Sequence, residues 1–315
     1  MLIGLLWLQQ AIFLVGDAGA LTETQVRKYT IFWQKHAHKE DVLIWLGDNI
    51  YPRGHDGSPR AVRRWNRLLA VSRAFPGKVY ALAGNHDWKS GIAGLLREDR
   101  DLPLLPPPGQ IGPAALENPP WLLIALDSEL YIQTGGKAFP WQALDSLVVA
   151  AHKKNLHPLL LLHHPPKTAG AHGGYFPLGA HVFPLRILSR YLYLPLPGLG
   201  TAFILLRKAA HHPTDLSYPT YRQLSQELLR RVDSLAVPTY IASGHDHNLQ
   251  VHRLGTSSWM IVSGSGCKTE PVSRRRATWA RATVGLWHLT PTTLAAYALT
   301  QPDQPIWKFP EIAVP

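Results

Sequence analysis

An α/β fold is the class this sequence predicts, and three observations carry the prediction. Short, nearly continuous apolar runs alternate with stretches of helical periodicity, as strands covered on both faces by helices require. Beyond residue 245 the alternation stops and strand patterns follow one another directly. Five of the earlier apolar runs end in Gly or Ser leading into Asp, Asn or His, or run straight into His. With 315 residues, 46% of them hydrophobic, the chain has ample material for one large core or two smaller ones.

The elements follow in order. AIFLV (11–15), VLIWL (42–46), VYALA (79–83), WLLIAL (121–126), PLLLL (158–162) and TYIAS (239–243) read as buried strands of four to six residues. Between them, Val26, Tyr29, Phe32 and Trp33 share one helical face, as do Val62, Trp65, Leu68 and Leu69. Trp141, Leu144, Val148 and Ala151 make a third face, and Tyr221, Leu224, Leu228, Val232 and Leu235 the clearest. LQVHRL, WMIVSG, TVGLWHL and TLAAYAL then suggest a second, more antiparallel sheet or sheet half. Residues 101–120 (DLPLLPPPGQIGPAALENPP) are Pro-rich and read as a surface loop.

The chain reads as one domain over 1–315 with a Pro-, Gly- and His-rich insertion at about 165–220. An insertion of that length carries a function or a local structure of its own. Inside it, YLYLPLPGLGTAFILL (191–206) reads as a packed flap, with weak contact to a membrane surface as the alternative. Pro195 and Pro197 are expected to interrupt any amphipathic helix there.

Composition narrows the partners. A net charge of +11 favours anionic ones, and RRR at 274–276 reads as a solvated face able to steer them. No nucleic-acid-binding module is recognisable, and nothing specifies an oligomer. The single cysteine, Cys267, excludes an intrachain disulfide and any Cys-rich metal site. MLIGLLWLQQ lacks the basic region of a secretory leader and runs directly into a predicted core strand, so it is not read as removable. No run reaches the roughly 18–20 apolar residues of a spanning helix.

The chemistry gathers at the strand ends. Gly16-Asp17, Gly47-Asp48-Asn49, Gly84-Asn85-His86-Asp87, His163-His164-Pro165 and Gly244-His245-Asp246-His247 each follow an apolar run. Open α/β sheets bind ligands beyond the carboxyl ends of their strands, so these residues are expected to converge. Carboxylate, amide oxygen and imidazole are hard-to-intermediate donors suited to Mn, Fe or Zn, with no thiolate among them. One carboxylate has two oxygens with which to bridge a pair of ions about 3.5–4 Å apart. His245 and His247, two apart, point the same way in extended chain. A lone GD or HxH would be incidental; five such motifs in order make a metal centre.

GDAG, GDN, GNHD, HHP and GHDH in this order resemble the calcineurin-like metallophosphoesterase superfamily, over most of the chain. The resemblance implies a four-layer α/β/β/α sandwich and hydrolysis of phosphate esters, monoesters first, by a metal-held hydroxide. A phosphodiesterase or nuclease on the same scaffold, or a catalytically degenerate binding module, is the alternative. Many members have histidine at the third position of the first motif, where this sequence has Gly19. The purple acid phosphatase branch shares that glycine and adds a tyrosine in GDxxY, matched here by Asp48-Asn49-Ile50-Tyr51.

By that resemblance Asp17, Tyr51 and His247 hold the first metal, Asp48 bridges, and Asn85, His163 and His245 hold the second. A phenol of pKa about 10 ionises at neutral pH only against a strongly Lewis-acidic ion. Fe(III) at the Tyr51 site, with Fe, Zn or Mn beside it, is therefore expected, and a Mn/Mn or Zn/Zn pair is the alternative. His86 is expected to protonate the leaving group with Asp87 orienting it, and His164 and His172 are candidates for substrate contact or solvated surface histidines. The substrate class implied is a phosphorylated small molecule, and the localisation leans outside the cytoplasm. SGSGCK (263–268) lacks P-loop spacing and is expected to be a tight turn near the site, with Cys267 structural.

Overall fold

The computed structural model describes residues 10–136, 139–187 and 191–310, so MLIGLLWLQQ lies, but for Gln10, outside the described residues. Along the chain, β1 (Ile12–Val15) leads through α1 (Glu23–His36) to β2 (Val42–Trp45), and α2 (Pro59–Ala74) leads on to β3 (Lys78–Ala81). Then come α3 (Gly91–Asp101), β4 (Ala114–Asn118), β5 (Trp121–Ala125), α4 (Ser128–Gln133), α5 (Trp141–Lys153) and β6 (His157–Leu161). The insertion carries α6 (Leu178–Val182) and α7 (Pro197–Ala209) before α8 (Pro219–Leu235) and β7 (Tyr240–Ser243). The tail holds β8 (Leu249–Leu254), β9 (Ser258–Ser263), β10 (Trp279–Arg281), β11 (Gly285–Leu289), β12 (Thr293–Ala298) and β13 (Trp307–Pro310).

Local chemistry sets where the helices begin. Thr22 caps α1 reciprocally: its Oγ1 accepts from Gln25 N at 3.2 Å while Gln25 Oε1 accepts from Thr22 N at 2.9 Å. Ser58 caps α2, and Pro59 at its first position has no N–H to leave unpaired.

The strands form a six-stranded sheet ordered β13-β12-β11-β1-β2-β3 and a seven-stranded sheet ordered β10-β8-β9-β7-β6-β5-β4. β1, β2 and β3 run parallel in the first, as do β5, β6, β7 and β9 in the second. Side-chain alternation divides each strand between two cores. Phe13 and Val15 pack with Tyr29, Phe32, Trp33, Trp65 and Leu68 of α1 and α2. Ile12 and Leu14 point the other way, joining Leu123, Leu161, Ile261 and Trp287 between the sheets. On the far face Ile124, Leu160 and Ile241 meet Leu144 and Val148 of α5 and Leu224 and Leu228 of α8. Helices, sheet, sheet and helices are thus the four layers, and strands covered on both faces read as unbroken apolar runs.

The tail builds sheet halves rather than a sheet of its own: β8 to β10 extend one sheet and β11 to β13 the other, paired antiparallel among themselves. The structure departs from the sequence reading in three places. Residues 101–120 contain β4, paired antiparallel with β5, and bury Leu102 and Leu104, so they are not merely a surface loop. Val62 faces solvent, because the inner row of α2 runs through Ala61, Trp65, Leu68 and Ser72 instead. Pro197 opens α7 rather than interrupting it, since the first helical position has no need of an N–H.

Candidate metal centre

The strand ends deliver their polar residues on strained backbone. Asp17, Asp48 and His245 sit at φ of 59°, 56° and 71°, a left-handed region that side-chain-bearing residues seldom adopt. Each such turn aims a side chain over the end of its own sheet. Gly47, at φ +87°, lies so close that a Cβ there would meet His163 Nδ1 at 2.6 Å.

The donors fall into two groups. In the first, Tyr51 donates its phenol hydrogen to Asp17 Oδ1 at 2.8 Å, and its oxygen lies 3.2 Å from His247 Nε2. His247 Nε2 is 3.3 Å from the same Asp17 oxygen. In the second, His163 Nε2 lies 3.1 Å from Asn85 Oδ1, 3.3 Å from His245 Nδ1 and 3.5 Å from Asp48 Oδ1. Asp17, Asp48 and His163 each offer an atom within 4.8 Å of the others, so the groups adjoin. All are buried.

Each of the three histidines has its other nitrogen occupied. His163 Nδ1 donates to Leu46 O at 2.7 Å and His245 Nε2 donates to Thr214 O at 2.8 Å. His247 Nδ1 lies 2.8 Å from Glu270 Oε1, an ion-pair approach off the hydrogen-bond direction. Such partners fix the tautomer that turns a lone pair towards the cluster, as they do behind metal-ligating histidines.

The electrostatics ask for a cation. Burial, then the carboxylates of Asp17 and Asp48, push the Tyr51 phenol well above its ordinary pKa. Burial works against ionisation of Asp17, yet the hydrogen bond and charge of His247 hold its carboxyl down to about 2. Burial likewise opposes charge on His247, but Asp17 and Glu270 raise it to about 10. Burial and the rings of His172, His164 and His163 keep His245 neutral, the form in which imidazole ligates. Oxygen and imidazole donors packed this tightly fit a pair of hard-to-intermediate cations, whose charge would outweigh the repulsion around Tyr51.

Gly19 and Tyr51 prove to be one device. A Cβ on Gly19 would lie 2.6 Å from Tyr51 N, 2.7 Å from Asp48 O and 2.8 Å from Ile50 N. Gly19 N donates to Asp48 O at 2.9 Å and Tyr51 N to Gly19 O at 3.0 Å. The loop that brings in the tyrosine therefore occupies the space a histidine at position 19 would need.

Residues 12–249 match the family model of the calcineurin-like phosphoesterases. The chain belongs to that family. It is accordingly a metal-dependent phosphoesterase of the dinuclear kind. No curated protein matches it significantly. Among solved structures it is similar to GAP50, the anchor in the inner membrane complex of Plasmodium, with a TM-score of 0.59 at 14% identity. That match covers 96% of this chain and 88% of GAP50. A dimetal phosphatase from Danio rerio matches at a TM-score of 0.48 and 14% identity, over 93% of this chain and 97% of the other. At 14% identity the GAP50 match speaks for the fold alone.

In this phosphoesterase the remaining histidines take unequal places. His86 stands half-buried at the mouth, its Nε2 3.9 Å from Asp48 Oδ2 and its Nδ1 donating to Pro52 O at 2.7 Å. Asp87 does not orient it. Its carboxylate accepts from Gly84 N, Asn49 N and Ile50 N at 2.9, 3.1 and 3.0 Å, joining the second and third motif loops. His164 has no exposed surface, so it is not a solvated surface histidine, and it lies with His163 and His245 in a group close enough to share an ion. Its Nδ1 meets Ser128 Oγ at 2.9 Å and its ring backs that of His245, with centroids 4.3 Å apart. His172 lies against His245, ring centroids 4.0 Å apart and planes tilted by 32°, and pairs through Nδ1 with Asp215 at 2.9 Å, so it is not a free surface histidine either.

The sequence reading missed Glu270, Thr214, Asp215 and Lys268, whose Nζ stands 3.8 Å over the Tyr51 ring. None carries a motif signal; all arrive through tertiary folding. SGSGCK is the expected turn, with Gly266 N donating to Gly16 O at 2.8 Å. Burial raises the Cys267 thiol to about 11, which leaves it unsuited to nucleophilic attack.

Proposed function

We propose that this phosphoesterase hydrolyses phosphate monoesters at an iron-containing pair of metal ions, as in the purple acid phosphatase branch. The observation that carries the reading is Tyr51, whose oxygen lies 2.8 Å from Asp17 Oδ1 and 3.2 Å from His247 Nε2, on a loop whose backbone passes where only a glycine at position 19 leaves room. Asp17, Tyr51 and His247 would hold the first ion, a hard phenolate oxygen favouring Fe(III). Asp48 would bridge, and Asn85, His163 and His245 would hold a divalent ion. When bound, the pair supplies Lewis acidity for transfer of a phosphoryl group to water.

The chain's own groups do the rest. Leu46 O, Thr214 O and Glu270 hold the three imidazoles in ligating orientation. His86, with Nδ1 committed to Pro52 O, keeps Nε2 facing the site to hold a proton for the departing alkoxide. Burial, with the ammonium groups of Lys89 and Lys268, lowers its pKa against the pull of Asp48, so Nε2 is a stronger acid that carries its proton on the acid side of the ordinary histidine range.

The test is spectroscopic and chemical. Purified enzyme should carry iron and a visible phenolate-to-metal absorption, and Tyr51→Phe should remove the colour. A colourless Mn or Zn enzyme, fully active with Tyr51→Phe, would overturn the iron assignment. p-Nitrophenyl phosphate should turn over faster than its bis ester; the reverse order would make the enzyme a phosphodiesterase. Asp48→Asn should lose metal and activity together, whereas His86→Ala should lose turnover and keep metal.

A further inference from the structure

Helix α7 is built the wrong way round for an ordinary surface helix. Its inner row is Gly200, Ile204 and Arg207: Gly200 packs against the His181 carbonyl, Ile204 is 3% exposed, and Arg207 pairs with Asp215. Its outer row, at the four-and-three spacing of one helical face, is Leu199, Phe203 and Leu206, exposed by 58%, 44% and 69%. Leu205 beside that row, Leu178 on α6, and Leu192 and Leu194 before α7 are exposed as well. An exposed helical face this apolar marks a docking face.

Charge says what docks there. Between Asp145 and Asp215 the sequence has no acidic residue at all, while Lys167, Arg186, Arg190, Arg207 and Lys208 fall within that span. A second basic run, the exposed Arg274, Arg275 and Arg276, adjoins the insertion. Ser273 N donates to Ala169 O at 3.0 Å, and the Arg276 guanidinium lies 6.0 Å from the Tyr175 ring centre. An exposed apolar row in a segment whose sequence carries basic but no acidic residues from 146 to 214 matches the boundary of an anionic bilayer, where leucine and phenylalanine enter the acyl region and basic side chains meet the headgroups. A second copy would bring the same cations face to face. No described helix is long and apolar enough to cross a membrane, so the contact lies in the plane of the surface.

We propose that α7 and the residues around it dock this protein on an anionic lipid surface. The inner face of the same helix leads to the metal centre. Arg207 Nε and Nη2 grip Asp215 at 2.9 and 2.8 Å, Asp215 meets His172 Nδ1 at 2.9 Å, and the His172 ring lies against that of His245. Docking therefore sets the rim of the site at the lipid–water boundary. The proposal does not depend on which ester is cleaved or which metals are bound.

Flotation of the full chain with phosphatidylcholine vesicles, with and without phosphatidylglycerol, tests it. The protein should float with the anionic vesicles and bind neutral ones about tenfold more weakly. Leu199→Ser/Phe203→Ser/Leu206→Ser should lose vesicle binding while keeping its melting temperature and its turnover of soluble p-nitrophenyl phosphate. Arg274→Ser/Arg275→Ser/Arg276→Ser should bind about tenfold less and with a shallower salt dependence. Failure of the folded wild-type chain to float with anionic vesicles overturns the proposal. So does concentration-dependent dimerisation that the triple serine variant abolishes, since the face would then belong to a second copy.

Discussion

Gly19 shows how little room a single residue can leave. The three atoms nearest its missing side chain are all backbone, at 2.6 to 2.8 Å, so none can swing aside. Gly19→Ala should lower stability by about 2–3 kcal/mol in urea unfolding, the cost of overpacking without relaxation. It should also deplete the metal bound at the Tyr51 side before the other, as separate metal analyses of the variant would read. The strand-end motifs were legible in the sequence because each follows an apolar run, whereas the choice of Tyr51 and the division of the seven donors between two ions came from the family resemblance. The partners that hold them were not: Glu270, Thr214 and the three N–H groups on Asp87 become neighbours only through folding. Asp87 illustrates the limit, since its place after His86 suggested a contact that the turn between them directs elsewhere.

Among the elements, the insertion is tied to the sandwich by specific contacts and braced within itself. Asp246 accepts from Thr168 Oγ1, Gln250 Oε1 accepts from Ala169 N at 2.8 Å and His245 Nε2 donates to Thr214 O at 2.8 Å, while inside the insertion Arg207 and His172 share Asp215. Burial opposes the charge on Asp215, but Arg207 and His172 hold its carboxyl down to about 2. A depressed carboxyl stabilises fully above the ordinary carboxylate range and ceases to do so as pH falls through about 2, so this tie persists under mild acid. Arg207→Ala should speed proteolytic cleavage within 176–214 several-fold at neutral pH while metal content holds. The same segment marks where periodicity fails as a guide. The leucines of α7 carry a helical spacing, but prolines before it read as breakers, and nothing in a pattern says which face turns outward. β4 escaped for another reason: AALEN has weak strand propensity and is recognised only by its pairing with β5.

A buried histidine, His252, and a half-buried one, His288, both outside the metal centre, contribute to how the whole molecule meets acid. Burial holds His252, on β8, and His288, on β11, down to about 4, with neighbouring cations adding to the effect. Each stays neutral in the fold yet takes up a proton near pH 6.5 once unfolded, so stability falls as pH drops from about 6.5 to 4. The fall should approach about 1.4 kcal/mol per pH unit for each histidine, visible as a declining urea midpoint. Because one lies in each sheet, His288→Phe and His252→Gln should each remove about half of that slope.

The centre also draws its donors from both sheets: Asp17, Asp48, Tyr51 and Asn85 from the six-stranded one, His163, His245 and His247 from the seven-stranded one. The sandwich is thereby a caliper. Its jaws are the strand ends, and its gauge is the apolar layer of Leu14, Ile44, Leu161 and Trp287 that keeps the sheets about 10 Å apart. A residue such as Trp287, pinned through its indole N–H to Val262 O at 2.9 Å, sets the gap across which cations are gripped without touching them.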